Sequence, residues 1–264
     1  MKLGFIGTGN MASAIMGGII KNQIIPANEI IGADVMEAGR KRVKEQFGIQ
    51  VTADNHEVVR NSDVVILSVK PQFYAEVIAE IKDDVREDQI IITIAPGKTL
   101  AWLKEQFGKN VKIVRTMPNT PALVGEGMTA ACPNEYMTKE EIAYVLTLLE
   151  SFGRVEIIPE RLMDTVVSVS GSSPAYVFMF IEAMADAAVS GGMPRAQAYQ
   201  FAAQAVLGSA KMVLETGKHP GELKDMVCSP AGTTIEAVRV LEEKGFRSSV
   251  IEAMKTCEEI SKSM

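Results

Sequence analysis

Residues 2–12 read KLGFIGTGNMA, and their reading decides the fold. Residues 2–7 form an apolar run of strand length, and Met11 to Lys21 carry apolar residues at helical spacing. Between them Gly7 to Ala12 spell G-x-G-x-x-A. Alone that pattern is weak, but here it leaves a strand and opens a helix, the context in which it binds a dinucleotide. Gly7 makes the tight turn, Gly9 lets a pyrophosphate approach the backbone, and Ala12 lets the helix pack near the strand. The residues expected around the cofactor are Ile6, Gly7, Thr8, Gly9, Asn10 and Met11. The acid of the fingerprint, expected about 20 residues further on, is Asp34 at the end of the next apolar run, 29–34. Its carboxylate can accept from ribose hydroxyls and would repel a 2′-phosphate, which leans the site toward NADH over NADPH. Arg40, Lys41 and Arg42 could offset that repulsion but read more simply as a solvated basic helix face.

Outward from this stretch the alternation continues. Apolar runs at 63–69, 89–95 and 111–117 alternate with helical spacing at 37–47, 73–81 and 100–107. Strands apolar on both faces, separated by helices, imply a parallel sheet covered on each side. A strand at 128–132, a helix at 138–152 and a strand at 154–159 complete an α/β, doubly wound domain over residues 1–160. Three successive strand ends carry special loops, SVKPQ (68–72), IAPGKT (94–99) and TMPNTP (116–121), so one rim of the sheet is the working rim.

Beyond Pro159 the pattern changes. Residues 161–264 offer only helical stretches, at 175–190, 195–215, 233–243 and 247–260. They are rich in Ala, Met and Val, more apolar than a small core needs, which predicts an interface between subunits. Near their end CSPAGTTIEA (228–237) precedes a helical run. Thr233 and Glu236 have capping-box spacing, Gly232 permits a close approach, and free amides at a helix start attract anions.

Bulk properties narrow the alternatives. The chain has 264 residues, 47% hydrophobic and 23% charged, ordinary for a soluble globular protein. A net charge of −6 gives no electrostatic footprint for nucleic acid. Three scattered cysteines and two histidines predict neither a disulfide scaffold nor a local metal cluster and suit a reducing compartment. Gly7, Gly9 and Asn10 interrupt any signal-peptide core. The apolar stretch 175–193 contains Glu182 and Asp186, so it is expected to be a buried helix rather than a membrane span. A cytoplasmic location is the expectation.

The stretch PGELKDMVCSPAGTTIEAVRVLE (220–242) resembles the signature of the pyrroline-5-carboxylate reductases. The likeness runs the length of the chain, through GFIGTGNMASAI, SDVVILSVKP, RTMPNTPALVGEG, VSGSSPAYVF and LEEKGFRS. The resemblance implies NADPH- or NADH-dependent reduction of the cyclic imine 1-pyrroline-5-carboxylate to L-proline, the last step of proline synthesis. It implies a C-terminal helical dimerisation domain, dimers that can assemble five to a ring, and an active site between the two domains with a neighbouring subunit contributing. The loop Ser229, Ala231, Gly232, Thr233 and Thr234 would hold the substrate. Ser229 and backbone amides would take the carboxylate and Thr234 the ring nitrogen, with Thr233 either a helix cap or a carboxylate contact. The cofactor would run past Asn55, Ser68, Val69, Lys70, Pro71, Ala95 and Gly97. Pro96, Ser173 and Gly217 depart from residues common in relatives, and Asp34 replaces the small polar residue of NADPH-preferring members. A protonated imine needs no general base, which suits a chain whose His219 reads as structural. The alternatives are a β-hydroxyacid dehydrogenase, for which no helical-domain lysine has the right context, and an NAD(H)-binding sensor without turnover.

Overall fold

The computed structural model describes residues 1–263 as two compact units. The first holds Met1–Ser172 and takes back the chain from Cys257 on; the second is Ser173–Thr256.

The first unit is built on β1 (Leu3–Ile6), β2 (Ile30–Ala33), β3 (Gln50–Thr52), β4 (Val64–Leu67), β5 (Ile90–Thr93), β6 (Lys112–Met117), β7 (Gly127–Pro133) and β8 (Gly153–Ile157). Their order in the sheet is β3-β2-β1-β4-β5-β6-β7-β8. Neighbours from β3 to β6 pair in parallel; β7 is antiparallel to β6 and β8 parallel to β7. The expected sheet is thus present, but its last two strands run in the opposite direction. The link from β6 to β7 is only a short 3₁₀ turn, Thr120–Val124, and a parallel return would need a longer crossover.

Side chains alternate across the sheet and build two cores. Leu3, Phe5, Val64, Ile66, Ile90 and Ile92 face one side. There they meet α1 (Asn10–Lys21), Val43 of α2 (Glu37–Phe47) and α6 (Lys139–Glu150). Ile6, Val65, Leu67, Ile91 and Ile113 face the other, against α3 (Asn55–Arg60), α4 (Tyr74–Ile81) and α5 (Leu100–Phe107). Burial on both faces is the physical reason for the continuous apolar runs. The α6 start has a complete capping box between Thr138 and Glu141. The short helix α7 (Met163–Val166) leads into a π-helical stretch, Val167–Gly171, and Ser261 from the C-terminal end donates to Asp164 at 2.7 Å.

The second unit contains α8 (Ser173–Ser190), α9 (Arg195–Thr216), α10 (Pro220–Val227), α11 (Thr233–Glu243) and most of α12 (Phe246–Lys262). Ala185, Ala198 and Ala202 are its buried apolar residues, small enough to let α8 and α9 lie close. Phe180 and Phe246 set their rings 6.1 Å apart. The expectation of a buried helix at 175–193 is corrected: on the chain by itself only Ala185 of α8 is buried, while Phe178 is 63% and Met179 69% exposed. Residues 160–190 also form a helical run long and apolar enough to cross a membrane by length and composition.

Candidate functional site

The dinucleotide cradle lies in the first unit, where the sheet order reverses between β1 and β4, the position at which such sheets receive ligands. Gly7 leaves β1 with φ +95°, and a Cβ there would stand 2.8 Å from the Ser68 carbonyl oxygen. Only glycine fits. Ser68 staples this turn to β4: its hydroxyl donates to the Gly7 carbonyl at 2.7 Å and its N–H to Ile6 at 2.8 Å. Gly9 is different. Its φ is an ordinary −68°, and nothing lies within 4 Å of the position a Cβ would take. It is the extended residue before α1, which starts at Asn10 with no side-chain cap and no acid in its first turn. Those amides have no intrahelical partner and point at an anion site. An exposed Gly9, free amides and a buried Ala12 behind them fit a pyrophosphate.

Asp34 follows β2 beside this turn. Its Oδ2 accepts from both the N–H and the hydroxyl of Thr8 at 2.8 Å, and its Oδ1 from Met36 N–H at 2.9 Å. The basic helix face is corrected here. Arg40 donates to the Asp34 carbonyl at 2.6 Å and the Val35 carbonyl at 3.2 Å, and Arg42 donates to the Thr8 carbonyl. Lys41 behaves as expected, exposed and paired loosely with Glu45, and Arg42 is exposed too although its guanidinium reaches Thr8. The two guanidinia reach back to carbonyls in the turns that follow β2 (Arg40) and β1 (Arg42), backbone acceptors outside the strands that Arg can satisfy.

Further along the rim, Val69 packs against the second core, Lys70 is exposed and Pro71 opens a 3₁₀ turn. Ala95 is buried and Gly97 takes φ +72°. Asn55 opens α3 beyond β3, and its amide donates to Glu80 at 2.9 Å. Beside it His56 Nδ1 and Asp84 Oδ2 lie 2.5 Å apart, and Arg60 Nε donates to the same carboxylate. That hydrogen bond raises the His56 pKa, and Asp84 is held low by His56 and then by Arg60. The histidines are scattered in sequence, yet folding brings ligand atoms of Asp54, His56 and Glu80 within 4.8 Å of one another.

Two supports were not foreseen. Buried Asn119 accepts from Met128 N–H at 2.8 Å and donates to the Ser170 carbonyl at 2.9 Å, fixing the turn after β6. Arg115 donates at 2.8 Å to Glu160, which also accepts from Leu100 N–H at the start of α5. Each includes a contact between residues 45 or more apart in sequence, Arg115 with Glu160 and Asn119 with Ser170, which no local pattern signals.

The second unit carries the other candidate group. The capping box expected at Thr233 is corrected: Gly232 is the extended residue before the helix, Thr233 is already helical, and α11 has no side-chain cap. Glu236 instead accepts from Arg239 at 3.0 Å. Ala231 stands at φ +56°, a left-handed conformation rare for a residue with a Cβ. It turns the chain so that Gly232 N–H donates to the Ser229 carbonyl at 3.0 Å, and Ser229 Oγ covers Gly232 so closely that a Cβ there would sit 2.4 Å from it. The hydroxyls of Ser229, Thr233 and Thr234 find no partner among the described residues, so they and the α11 amides are available to an anionic ligand. His219 caps α10, its Nδ1 accepting from Gly221 N–H at 3.0 Å.

With this geometry in view, the likeness to known proteins is decisive. The chain is 55% identical over 267 aligned residues to the pyrroline-5-carboxylate reductase of Escherichia coli, covering 100% of this chain and 98% of that one. It belongs to the pyrroline-5-carboxylate reductase family. Residues 160–264 match the family described as pyrroline-5-carboxylate reductase dimerisation, and residues 2–97 the family described as NADP oxidoreductase coenzyme F420-dependent. The reductase fold is shared with the Coxiella burnetii enzyme, at TM-score 0.92 and 35% identity over 99% of this chain and 97% of that one. It is shared equally with the Plasmodium falciparum pyrroline carboxylate reductase with NADP bound, at TM-score 0.91 and 33% identity over 100% and 97%.

Proposed function

We propose that this chain reduces 1-pyrroline-5-carboxylate to L-proline with NADH or NADPH, closing proline synthesis. The observation that carries the reading is the start of α11, with uncapped amides beside unpartnered Ser229 and Thr234 hydroxyls, in a chain 55% identical throughout to a named reductase. A substrate bearing one carboxylate and one ring nitrogen asks for such a pair of neighbours.

The chain's part is binding and charge placement. The α11 amides and Ser229 hold the carboxylate, and Thr234 Oγ accepts from the protonated ring N–H, fixing which face of the C=N bond is presented. When bound, the nicotinamide would supply a hydride. As the imine carbon gains it, the C=N π pair becomes the lone pair of a nitrogen that already carries its proton, so no general base is required. Both histidines are otherwise engaged, His219 in a helix cap and His56 on Asp84.

For the cofactor, the α1 amides and Gly9 take the pyrophosphate, Asp34 the ribose, and Val69, Lys70, Pro71, Ala95 and Gly97 the nicotinamide side, with Asn55 at the far end of the rim. NADH is the preferred donor, since the Asp34 carboxylate stands at the ribose corner, where it would repel a 2′-phosphate; Arg40 and Arg42, bound to backbone carbonyls, keep NADPH usable. Residues 1–160 act as the dinucleotide domain and 161–264 as the dimerisation and substrate domain. The apolar surface of α8 and α9 supports a homodimer, five of which can close a decamer, working in the cytoplasm.

The test is steady-state reduction of 1-pyrroline-5-carboxylate at matched NADH and NADPH. Higher kcat/KM with NADH upholds the role of Asp34, and Asp34→Ser should move the preference toward NADPH. Faster turnover with NADPH overturns the preference, and no turnover with either overturns the function.

A further inference from the structure

Tyr74 is wholly buried, yet its hydroxyl sits at the working rim. The β4–β5 ladder ends at the pair Leu67 and Thr93. The next backbone groups, the Leu67 carbonyl and the Ile94 N–H, do not meet each other. The Tyr74 hydroxyl stands between them, donating to Leu67 at 2.5 Å and accepting from Ile94 N–H at 3.2 Å. Burial raises the phenol pKa, so the hydroxyl keeps the proton it donates.

The placement has two consequences. Tyr74 closes the 68–73 segment back onto the strand it has just left, so Ser68 to Pro71 form a loop fixed at both ends. The same oxygen fixes Ile94, the first residue of the 94–97 loop. On the other side of β4, Ser68 staples the strand to Gly7 through its own hydroxyl. One strand end is therefore tied to β1 by a serine and spaced from β5 by a phenol. A hydroxyl inserted where a direct ladder bond would fall holds the two strand ends further apart than pairing would.

We propose that Tyr74 is a positioning residue for the nicotinamide end of the cofactor, setting the separation of the 68–71 and 94–97 loops by the hydroxyl it inserts between the ends of β4 and β5. The proposal rests on the reading that those loops receive the nicotinamide side. It predicts a loss confined to that end of the ligand, because the pyrophosphate cradle at Gly7 to Ala12 does not touch the phenol.

The experiment is Tyr74→Phe, which keeps the ring in the core and removes only the oxygen. Dissociation constants are measured for NADH and for ADP-ribose, which lacks the nicotinamide, beside a thermal melt. The expected result is at least a fivefold weaker NADH complex with ADP-ribose unchanged within twofold. A lower melting temperature with both constants unchanged, or both weakened equally, would reduce Tyr74 to a structural role and overturn the proposal. Gly97→Ala separates the two layers of the argument. If it weakens NADH while Tyr74→Phe does not, the proposal alone fails; if neither moves NADH, the loop assignment beneath it fails. Should Tyr74→Phe not fold, hydrogen exchange on the unaltered protein decides. Slow exchange of the Ile94 amide without cofactor supports the inserted hydroxyl, and exchange at the rate of an open loop amide refutes it.

Discussion

Replacing Gly9 with alanine separates a ligand's demand for space from the fold's. At Gly9 the backbone is extended, at φ −68° and ψ −169°, and nothing lies within 4 Å of the added methyl. Alanine is a poorer residue than glycine before a helix, costing about 0.5–1 kcal/mol, but it lowers the entropy of the unfolded chain by a comparable 0.4–1 kcal/mol. Gly9→Ala should therefore melt within a few degrees of the parent. If a pyrophosphate packs on this residue, the methyl occupies its place, and cofactor affinity should fall by about 2 kcal/mol or more, roughly 30-fold. Gly7→Ala is the opposite control. At φ +95° with backbone atoms of Ser68 2.8 Å away, it should cost about 2–4 kcal/mol of stability before any ligand is added. Fluorescence titration with NADH and a thermal melt on each variant complete the set. A Gly9→Ala protein that binds NADH within twofold of the parent would refute the cradle. A large loss of stability in the same variant would refute the open space seen around it.

Thr234→Ala should lower kcat/KM by roughly 10- to 100-fold, the value of one hydrogen bond to a charged group, and leave the NADH dissociation constant unchanged; an unaffected rate would remove Thr234 from the site. Ala231→Gly should raise stability by up to about 1 kcal/mol, since relief of a left-handed Ala slightly exceeds the added freedom of the unfolded chain, and a drop in melting temperature would contradict this. The raised His56 pKa means its stabilisation is complete below about pH 6.5 and fades as pH rises through the folded value; the lowered Asp84 pKa means its share is complete above about pH 4 and fades below. The melting difference between parent and His56→Ala should thus be widest between about pH 4 and 6.5 and narrow by pH 9, and a flat difference would show that the pair does not couple to folding. Phe178→Asp, at an exposed apolar site on α8, should reduce the molar mass in solution to a smaller species by light scattering, whereas an unchanged mass would place the interface elsewhere.

The elements legible in the sequence are those whose burial is two-sided or periodic. β1, β2, β4 and β5 showed as apolar runs because both faces of the sheet are covered, β6 showed less cleanly because its Arg115 is buried on Glu160, and the Gly7–Ala12 pattern located the cradle through local geometry alone. The three-residue edge strand β3, the six-residue helix α3 and the Pro-led α10 bury too little to leave such a signature. The reversal of β7 follows from a short turn rather than from strand composition. At the candidate sites, residue types were readable but their partners were not. Asp34 announced itself by position, yet its hold on Thr8 and the return of Arg40 and Arg42 to the turn carbonyls depend on where β1 and β2 stop. The start of a helix near Thr233 was legible, but the extended residue before α11 is Gly232, one position earlier than the Thr233/Glu236 spacing suggested, and no side chain caps it.

The chain leaves the first unit at Ser172 and re-enters it at Cys257, where the last turns of α12 are anchored through Ser261 to Asp164. In polymer terms the helical unit is an insertion, a loop with both ends tethered to one body. If its helices come apart locally, what forms is a closed ring rather than a free tail, and holding the two ends together costs that state entropy that grows with the logarithm of the ring's length. Cutting either tether converts the ring to a tail. A single proteolytic nick in a connection of the helical unit should therefore loosen it far more than the few contacts severed at the cut would suggest.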